Sequence, residues 1–327
     1  MRPETLPEPA APEVTYAGIA DEAAPGLTGQ VAALRELGWR QIELRSVDGT
    51  AIADLDERTF ERLAWTLADA GLSAVCVDSR IANWARPITT PFDDDLRELE
   101  VLARRCAALG TRYVRIMSYP NDGLDDDEWG RRVVTRVRKL AAQAEAAGLV
   151  LLHENCSGWA GTRPDRMRRL VEATDGTALR LLFDIGNGIA YGYEAYEVLA
   201  GVVDLVAHVH VKDATGTAAD PIYTMPGDGH SRVADCLRLL LRHGYDGTIS
   251  IEPHLRVRPH ETGYRPGHGE SAPTEPQAEP QAATRAETQG DTQASTQAEA
   301  FVTYGRRLER LVAELRADPA IPEGAAR

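Results

Sequence analysis

At 327 residues, 43% hydrophobic and 26% charged, the chain is long enough to bury a large core, as one large domain or two small ones. A formal charge of −14 argues against a nucleic-acid partner, because no basic face is available to neutralise phosphates. No apolar run approaches the ~20 residues of a membrane span, so no membrane partner is expected either. The four cysteines (Cys76, Cys106, Cys156, Cys236) lie far apart with no C-x-x-C pair, the pattern of reduced cytoplasmic thiols.

In chain order, residues 1–13 ("MRPETLPEPAAPE") are acidic and proline-rich without an apolar stretch, and read as a disordered tail. From there a short apolar run, a polar turn and an amphipathic helical stretch recur. The apolar runs are "TYAGIA", "RQIELR", "LSAVCVD", "TRYVRIMS", "GLVLLHE", "LRLLFDI", "DLVAHVHV" and "GTISIEPH". Helical patterns such as "DERTFERLAWTLADAG" and "DDLRELEVLARRCAALG" end in glycine, which suits a left-handed cap. Residues 267–298 are rich in Gln, Ala, Thr, Pro and Glu without an apolar period. They are expected to form a disordered insertion, tolerated as a long loop rather than acting as a lid. A last helical pattern, "FVTYGRRLERLVAELRA", follows.

Strands alternating with helices imply right-handed βαβ units and a parallel sheet. Eight such units over 14–266 and 299–318 predict a single-domain α/β (β/α)8 TIM barrel. A doubly wound sheet is the alternative, but no glycine-rich phosphate loop follows "TYAGIA" or "RQIELR".

In such a barrel the C-terminal strand ends build the active site. The fifth strand ends in Glu154 and Asn155, the sixth in Asp184 with Asn187 just beyond, and the seventh in His210, Lys212 and Asp213. The eighth ends in Glu252 and His254. Three carboxylates and one imidazole converging on four consecutive strands are costly to bury unless a cation joins them. Their oxygen-rich donor set suits one divalent ion, with Mn²⁺ ahead of Mg²⁺, Co²⁺ and Zn²⁺. Side chains at i and i+2 share a strand face, so His208, His210 and Lys212 point the same way. His208, one layer deeper, reads as a hydrogen-bonded support and His210 as the ligand; Asp213 is assigned a supporting place beside them.

Other residues are open to two readings. Arg45 and Arg80 fit a bidentate hold on a substrate carboxylate or phosphate, or a pair with a barrel glutamate. Trp159 could stack on a sugar face or anchor its loop. The "PGDG" run after the seventh strand could meet a phosphate through backbone N–H groups, or serve as a turn. His153 has the opposite parity to Glu154 and is expected to face the helices.

The chain resembles the sugar phosphate isomerase/epimerase family, the xylose isomerase-like TIM barrels, over most of residues 15–265. The resemblance rests on "GIADEAAPGLTGQVAALRELGWRQIELRSVDG", "ENCSG", "FDIGN", "VHVKD", "PGDG" and "YDGTISIEPH". It implies a metal quartet of Glu154, Asp184, His210 and Glu252. It further implies that Glu154 and Glu252 flank the reacting carbon, one removing a proton α to a carbonyl and the other returning it through a metal-stabilised enediolate. Asn155, Asn187, Lys212 and His254 would contact the carbohydrate substrate, with Arg45, Arg80 and Trp159 as further candidates. The sequence departs from the family at Asn187 and at the Asn155–Cys156 pair, where many relatives carry a histidine. The expected function is isomerisation or epimerisation of a sugar, keto-sugar or sugar phosphate. The alternatives are a lyase of the same fold, acting by β-elimination on a 3-keto-glycoside or an inosose, and a non-catalytic sugar-binding protein. A three-zinc nuclease is disfavoured because no histidine precedes His153. Cytoplasmic placement is expected, and self-association is left open.

Overall fold

The repeating pattern folds as eight parallel strands, each followed by helical chain, in a computed structural model that describes residues 14–174, 178–259 and 289–318. The barrel strands are β1 (Thr15–Gly18), β2 (Gln41–Leu44), β5 (Ser73–Asp78), β6 (Tyr113–Ser118), β7 (Val150–Gly158), β8 (Leu179–Asp184), β9 (Val206–Val211) and β12 (Thr248–Ile251). They neighbour one another in chain order, and β12 pairs in parallel with β1. A parallel bridge between Ile19 and Glu43 joins β1 to β2 and closes the ring. Closure excludes the doubly wound alternative and establishes the (β/α)8 barrel.

Helices α1 (Leu27–Leu37), α2 (Glu57–Ala70), α3 (Phe92–Leu109), α4 (Asp126–Ala146) and α5 (Pro164–Glu172) follow the first five barrel strands. Two short helices, α6 (Asn187–Tyr191) and α7 (Ala195–Ala200), follow β8, and α8 (Val233–Arg242) follows β9. The glycines at the ends of α1, α2 and α3 adopt the left-handed caps that their positions suggested. Asp56 and Asp125 cap the N-termini of α2 and α4 through the backbone N–H of Thr59 and Glu128.

The last helix, α9 (Gln289–Arg316), begins inside the segment expected to be disordered. The stretch from Gln289 to Ala298 is therefore helical, a correction that fits its Ala, Gln and Glu content. The expected tail, 1–13, and the rest of the insertion lie outside the described residues. Farther along α9, Phe301, Tyr304 and Leu308 are buried. A side chain at Gly18 would come within 2.5 Å of Phe301, so glycine on β1 lets this helix seat against the barrel.

Two small hairpins have no clear counterpart in the sequence pattern. They are β3 (Ser46–Val47) with β4 (Thr50–Ala51), and β10 (Asp213–Thr217) with β11 (Asp220–Thr224). Both extend from C-terminal strand ends over the mouth. Inside the barrel, Cys76, Leu152 and Leu182 form an apolar floor. Two residues beyond Leu152 and Leu182 stand Glu154 and Asp184, so the same strand face changes from apolar floor to charged mouth. His153, on the opposite face of β7, is buried, and burial holds its imidazole neutral, with its pKa lowered to about 4.

Candidate active site

Glu154, Asp184, His210 and Glu252 meet at the mouth, each buried, with one donor atom from each lying within 4.8 Å of the others. Asp184 Oδ1 accepts the backbone N–H groups of Gly186 and Asn187, at 2.8 and 3.1 Å. That fixes the carboxylate and leaves Oδ2 aimed at the Lys212 ammonium, 2.8 Å away. Lys212 Nζ also lies 2.6 Å from Glu252 Oε2, so its charge sits between two of the carboxylates. The glycine of "FDIGN" makes room for it: a Cβ on Gly186 would fall 1.8 Å from Lys212 Cγ.

Glu43 separates the roles of the two histidines of "HVHVKD". Its two oxygens meet His208 Nε2 at 2.8 Å and His210 Nε2 at 3.0 Å. His210 Nδ1 has no hydrogen-bond partner although it is buried, and Glu252 Oε2 is 3.8 Å from it. An imidazole held through one nitrogen by a carboxylate, with the other nitrogen bare toward three carboxylates, is the arrangement of a metal-binding histidine. The donor set therefore fits one divalent cation. Burial opposes charge on His210, but Glu43 outweighs it and lifts the imidazole to about 10, so loading a metal would displace a proton.

The two glutamates are held ionised. Burial works against both charges. Arg115, with Nη1 2.8 Å from Glu154 Oε2, tips Glu154 below its usual range, while Lys212, His254 and Arg45 hold Glu252 well below it. Asn187 donates to Glu154 Oε1 at 3.2 Å. Burial raises Asp184 only to about 6, with Lys212 opposing it, so that pair is charged at neutral pH.

Several partners emerge only in three dimensions. Arg45 bridges Glu252 (2.6 Å), Asp21 (2.7 Å) and Glu22 (3.2 Å), the pairing alternative for that residue. Glu22 in turn receives the backbone N–H of His254 at 2.7 Å and faces its Nδ1 at 2.8 Å. His254 takes a left-handed φ of 52°, a strained backbone that these bonds hold in place. Its Nε2 reaches within 3.4 Å of Lys212 Nζ. The sequence signal for this network was the adjacent acidic pair in "GIADE".

Asp78, at the end of β5, lies 3.5 Å from Arg115 Nε, and burial raises its carboxyl to about 8. Arg80 lines the cavity and pairs with Asp54 at 2.8 Å.

The assignments of Asn155 and Asp213 are corrected, and of the two readings of Trp159 the loop anchor holds. Asn155 does not face the cavity. Its side chain accepts from the Asp184 N–H at 2.6 Å and donates to the Asp184 carbonyl and the Tyr193 hydroxyl, tying β7 to β8. Trp159 is buried against Gly130, with Arg166 and Arg169 stacked on its ring, because its loop folds outward onto α4. Replacing Trp159 with alanine should lower stability by about 3 kcal/mol in chemical denaturation while divalent-metal affinity of the folded protein stays unchanged.

Asp213, placed beside the ligands, instead fills the "PGDG" loop. Its carboxylate accepts the N–H groups of Ala214, Gly227, Gly229 and Ser231. The concavity that might have met a phosphate is therefore occupied by a side chain. Asp213→Ala should cost about 3 kcal/mol in the same assay, by stranding buried donors.

The family profile described as xylose isomerase-like TIM barrel matches residues 31–271. The inosose dehydratase of Clostridium perfringens is 27% identical over 144 residues, 39% of this chain and 48% of that protein. The chain thus spans about half the length of the curated relatives it matches. A solved structure of the IOLI protein with a binding zinc atom superposes with a TM-score of 0.67 at 15% identity, covering 93% of this chain and 99% of that one. The 3-keto-D-glucoside 4-epimerase of E. coli, in its apo form, gives 0.56 at 17% identity, covering 77% and 95%. Among the described residues no helix is long and apolar enough to cross a membrane. With the closed barrel and a profile match over most of its length, the chain belongs to the xylose isomerase-like TIM barrel family.

Proposed function

We propose that the protein is a divalent-cation-dependent enzyme that removes a proton α to the carbonyl of a sugar or keto-sugar and returns it, giving isomerisation or epimerisation. The observation that carries this reading is a pair of ionised carboxylates, Glu154 and Glu252, on the outer two of four consecutive strands. Between them stand Asp184 and the bare nitrogen of His210. These four residues would hold the cation, which when bound supplies Lewis-acid polarisation of the substrate carbonyl.

The chain's own groups account for the proton movements. Arg115 and Asn187 fix Glu154 on one side, and Arg45 and Lys212 fix Glu252 on the other. One carboxylate takes the proton from the carbon; returned by the same group to the neighbouring carbon, it gives isomerisation. Epimerisation follows when the opposing carboxylate, after taking a proton from water, delivers it to the other face of the planar enediolate. Lys212 stays an ammonium and can donate to an oxygen that gains charge. Filling of the "PGDG" concavity by Asp213 favours an unphosphorylated substrate.

A second reading is β-elimination. It is favoured by His254 beside Lys212 and Glu252, placed to protonate a leaving group, and by relatives that are dehydratases. NMR in D₂O separates the two. A free ketose that gains deuterium at its α-carbon and keeps its substituents supports isomerisation. Release of water from an inosose, or of the aglycone from a 3-keto-glycoside, supports the lyase. Absence of both with Mg²⁺, Mn²⁺, Co²⁺ and Zn²⁺ would overturn the enolisation reading.

A further inference from the structure

We infer that Asp78 is a specificity-determining residue. With the neighbouring Arg115 Nε it holds one substrate hydroxyl, at least two carbons beyond the carbon that reacts. The inference rests on the sugar reading of the site given above and names a contact within it.

Asp78 closes the third barrel strand, β5, on the face that carries Cys76 of the apolar floor one step below. It lines the same cavity as Glu154 and Glu252. In a closed ring of eight the third strand faces the seventh, so Asp78 stands across the mouth from the strand of His210. Among the described residues every other buried carboxylate accepts a hydrogen bond. Neither oxygen of Asp78 accepts one, although the residue is only 3% exposed. A carboxyl taken out of water and left unmet is destabilising, so it marks a place where another molecule completes the bonding.

Beside it stands a donor in the same condition. Arg115 is the register partner of Asp78 on the fourth barrel strand, β6, and lines the cavity too. Its Nη1 is engaged by Glu154, but its Nε has no hydrogen-bond partner among the described residues and lies 3.5 Å from Asp78 Oδ1. That separation is too wide for a good direct hydrogen bond, and it suits an oxygen set against both groups. A hydroxyl is donor and acceptor at once, so it can give its proton to Asp78 and receive the Nε–H. The guanidinium opposes a cation at this point. Asp78, with Glu43 behind it, opposes a carboxylate or phosphate. A neutral hydroxyl meets neither objection.

Rates of α-proton exchange in D₂O test this with the Mn²⁺-loaded full chain. The probes are D-fructose, D-tagatose and the 5-deoxy and 6-deoxy analogues of each. The quantity read is the wild-type to Asp78→Ala ratio of kcat/KM for each compound, in which differences in open-chain content cancel. That ratio should be at least about tenfold for an exchanging parent ketose. It should fall to near unity for the one analogue that lacks the bonded hydroxyl, while the other analogue behaves as the parent does. Asp78→Asn, which keeps the volume and one acceptor oxygen, should show the same pattern at smaller amplitude. It serves if the alanine variant does not fold. Equal ratios for the parent and both analogues would overturn the inference, since a structural role lowers all three alike. A ratio near unity for the parent would overturn it as well. Exchange of neither parent by wild type removes the sugar reading itself, whereas exchange with equal ratios removes only the role of Asp78.

Discussion

Glu252→Gln is expected to lower α-proton exchange by at least about a thousandfold, with the far-UV circular dichroism unchanged. The substitution keeps the shape of the side chain and removes the charge that Lys212 and Arg45 hold in place, at 2.6 Å each. It deletes a base and weakens one corner of the cation site together, so metal affinity should fall as well. Single-turnover exchange at saturating metal separates the two effects, because only loss of the base persists there. Exchange at the wild-type rate under those conditions would refute the role of Glu252.

The second large effect is expected at a residue that does not line the cavity but supports a ligand from behind. Glu43→Gln should weaken divalent-metal binding by about 10- to 100-fold and lower stability by about 3 kcal/mol. Glu43 is fully buried, and its two oxygens satisfy His208 and His210 at once. An amide has one acceptor oxygen, so one histidine loses its partner and faces an N–H donor instead. His210 then loses the bond that orients its bare nitrogen inward. Isothermal titration with Mn²⁺ and urea denaturation measure the two consequences separately. A loss of stability without a loss of metal affinity would mean that Glu43 supports the barrel but not the site.

Much of this site was legible because strand periodicity is strict. Residues two apart share a face, so "HVHVKD" alone placed His208, His210 and Lys212 in ascending layers, and the structure has them so. The four carboxylate and imidazole residues were found by reading the polar residues near the C-terminal end of each late strand, since barrel mouths are built there. Periodicity names a face but not the partner across the barrel. The bonds from Glu43 to two histidines and from Glu22 to His254 join residues 165 to 232 positions apart.

The misplaced residues have two causes. Asn155 lies within β7 on the face opposite Glu154, as strand parity itself implies. Trp159 and Asp213 instead sit just past strand ends, where a loop's path decides whether a side chain faces the substrate or its own backbone. Asp213 turned to four N–H groups nearby, and Trp159 to α4. The onset of the last helix at Gln289 was hidden for a third reason. Its first turns carry no apolar period, although Gln, Ala and Glu favour helix there.

The central claim is that Glu154, Asp184, His210 and Glu252 hold one divalent cation. Anomalous diffraction from crystals grown with Mn²⁺ tests it most directly. The account expects one strong peak among these four side chains, in contact with His210 Nδ1, and the Lys212 ammonium withdrawn from Asp184. No peak in the barrel, or a peak at the neighbouring Glu22–Glu252–His254 group instead, would contradict it.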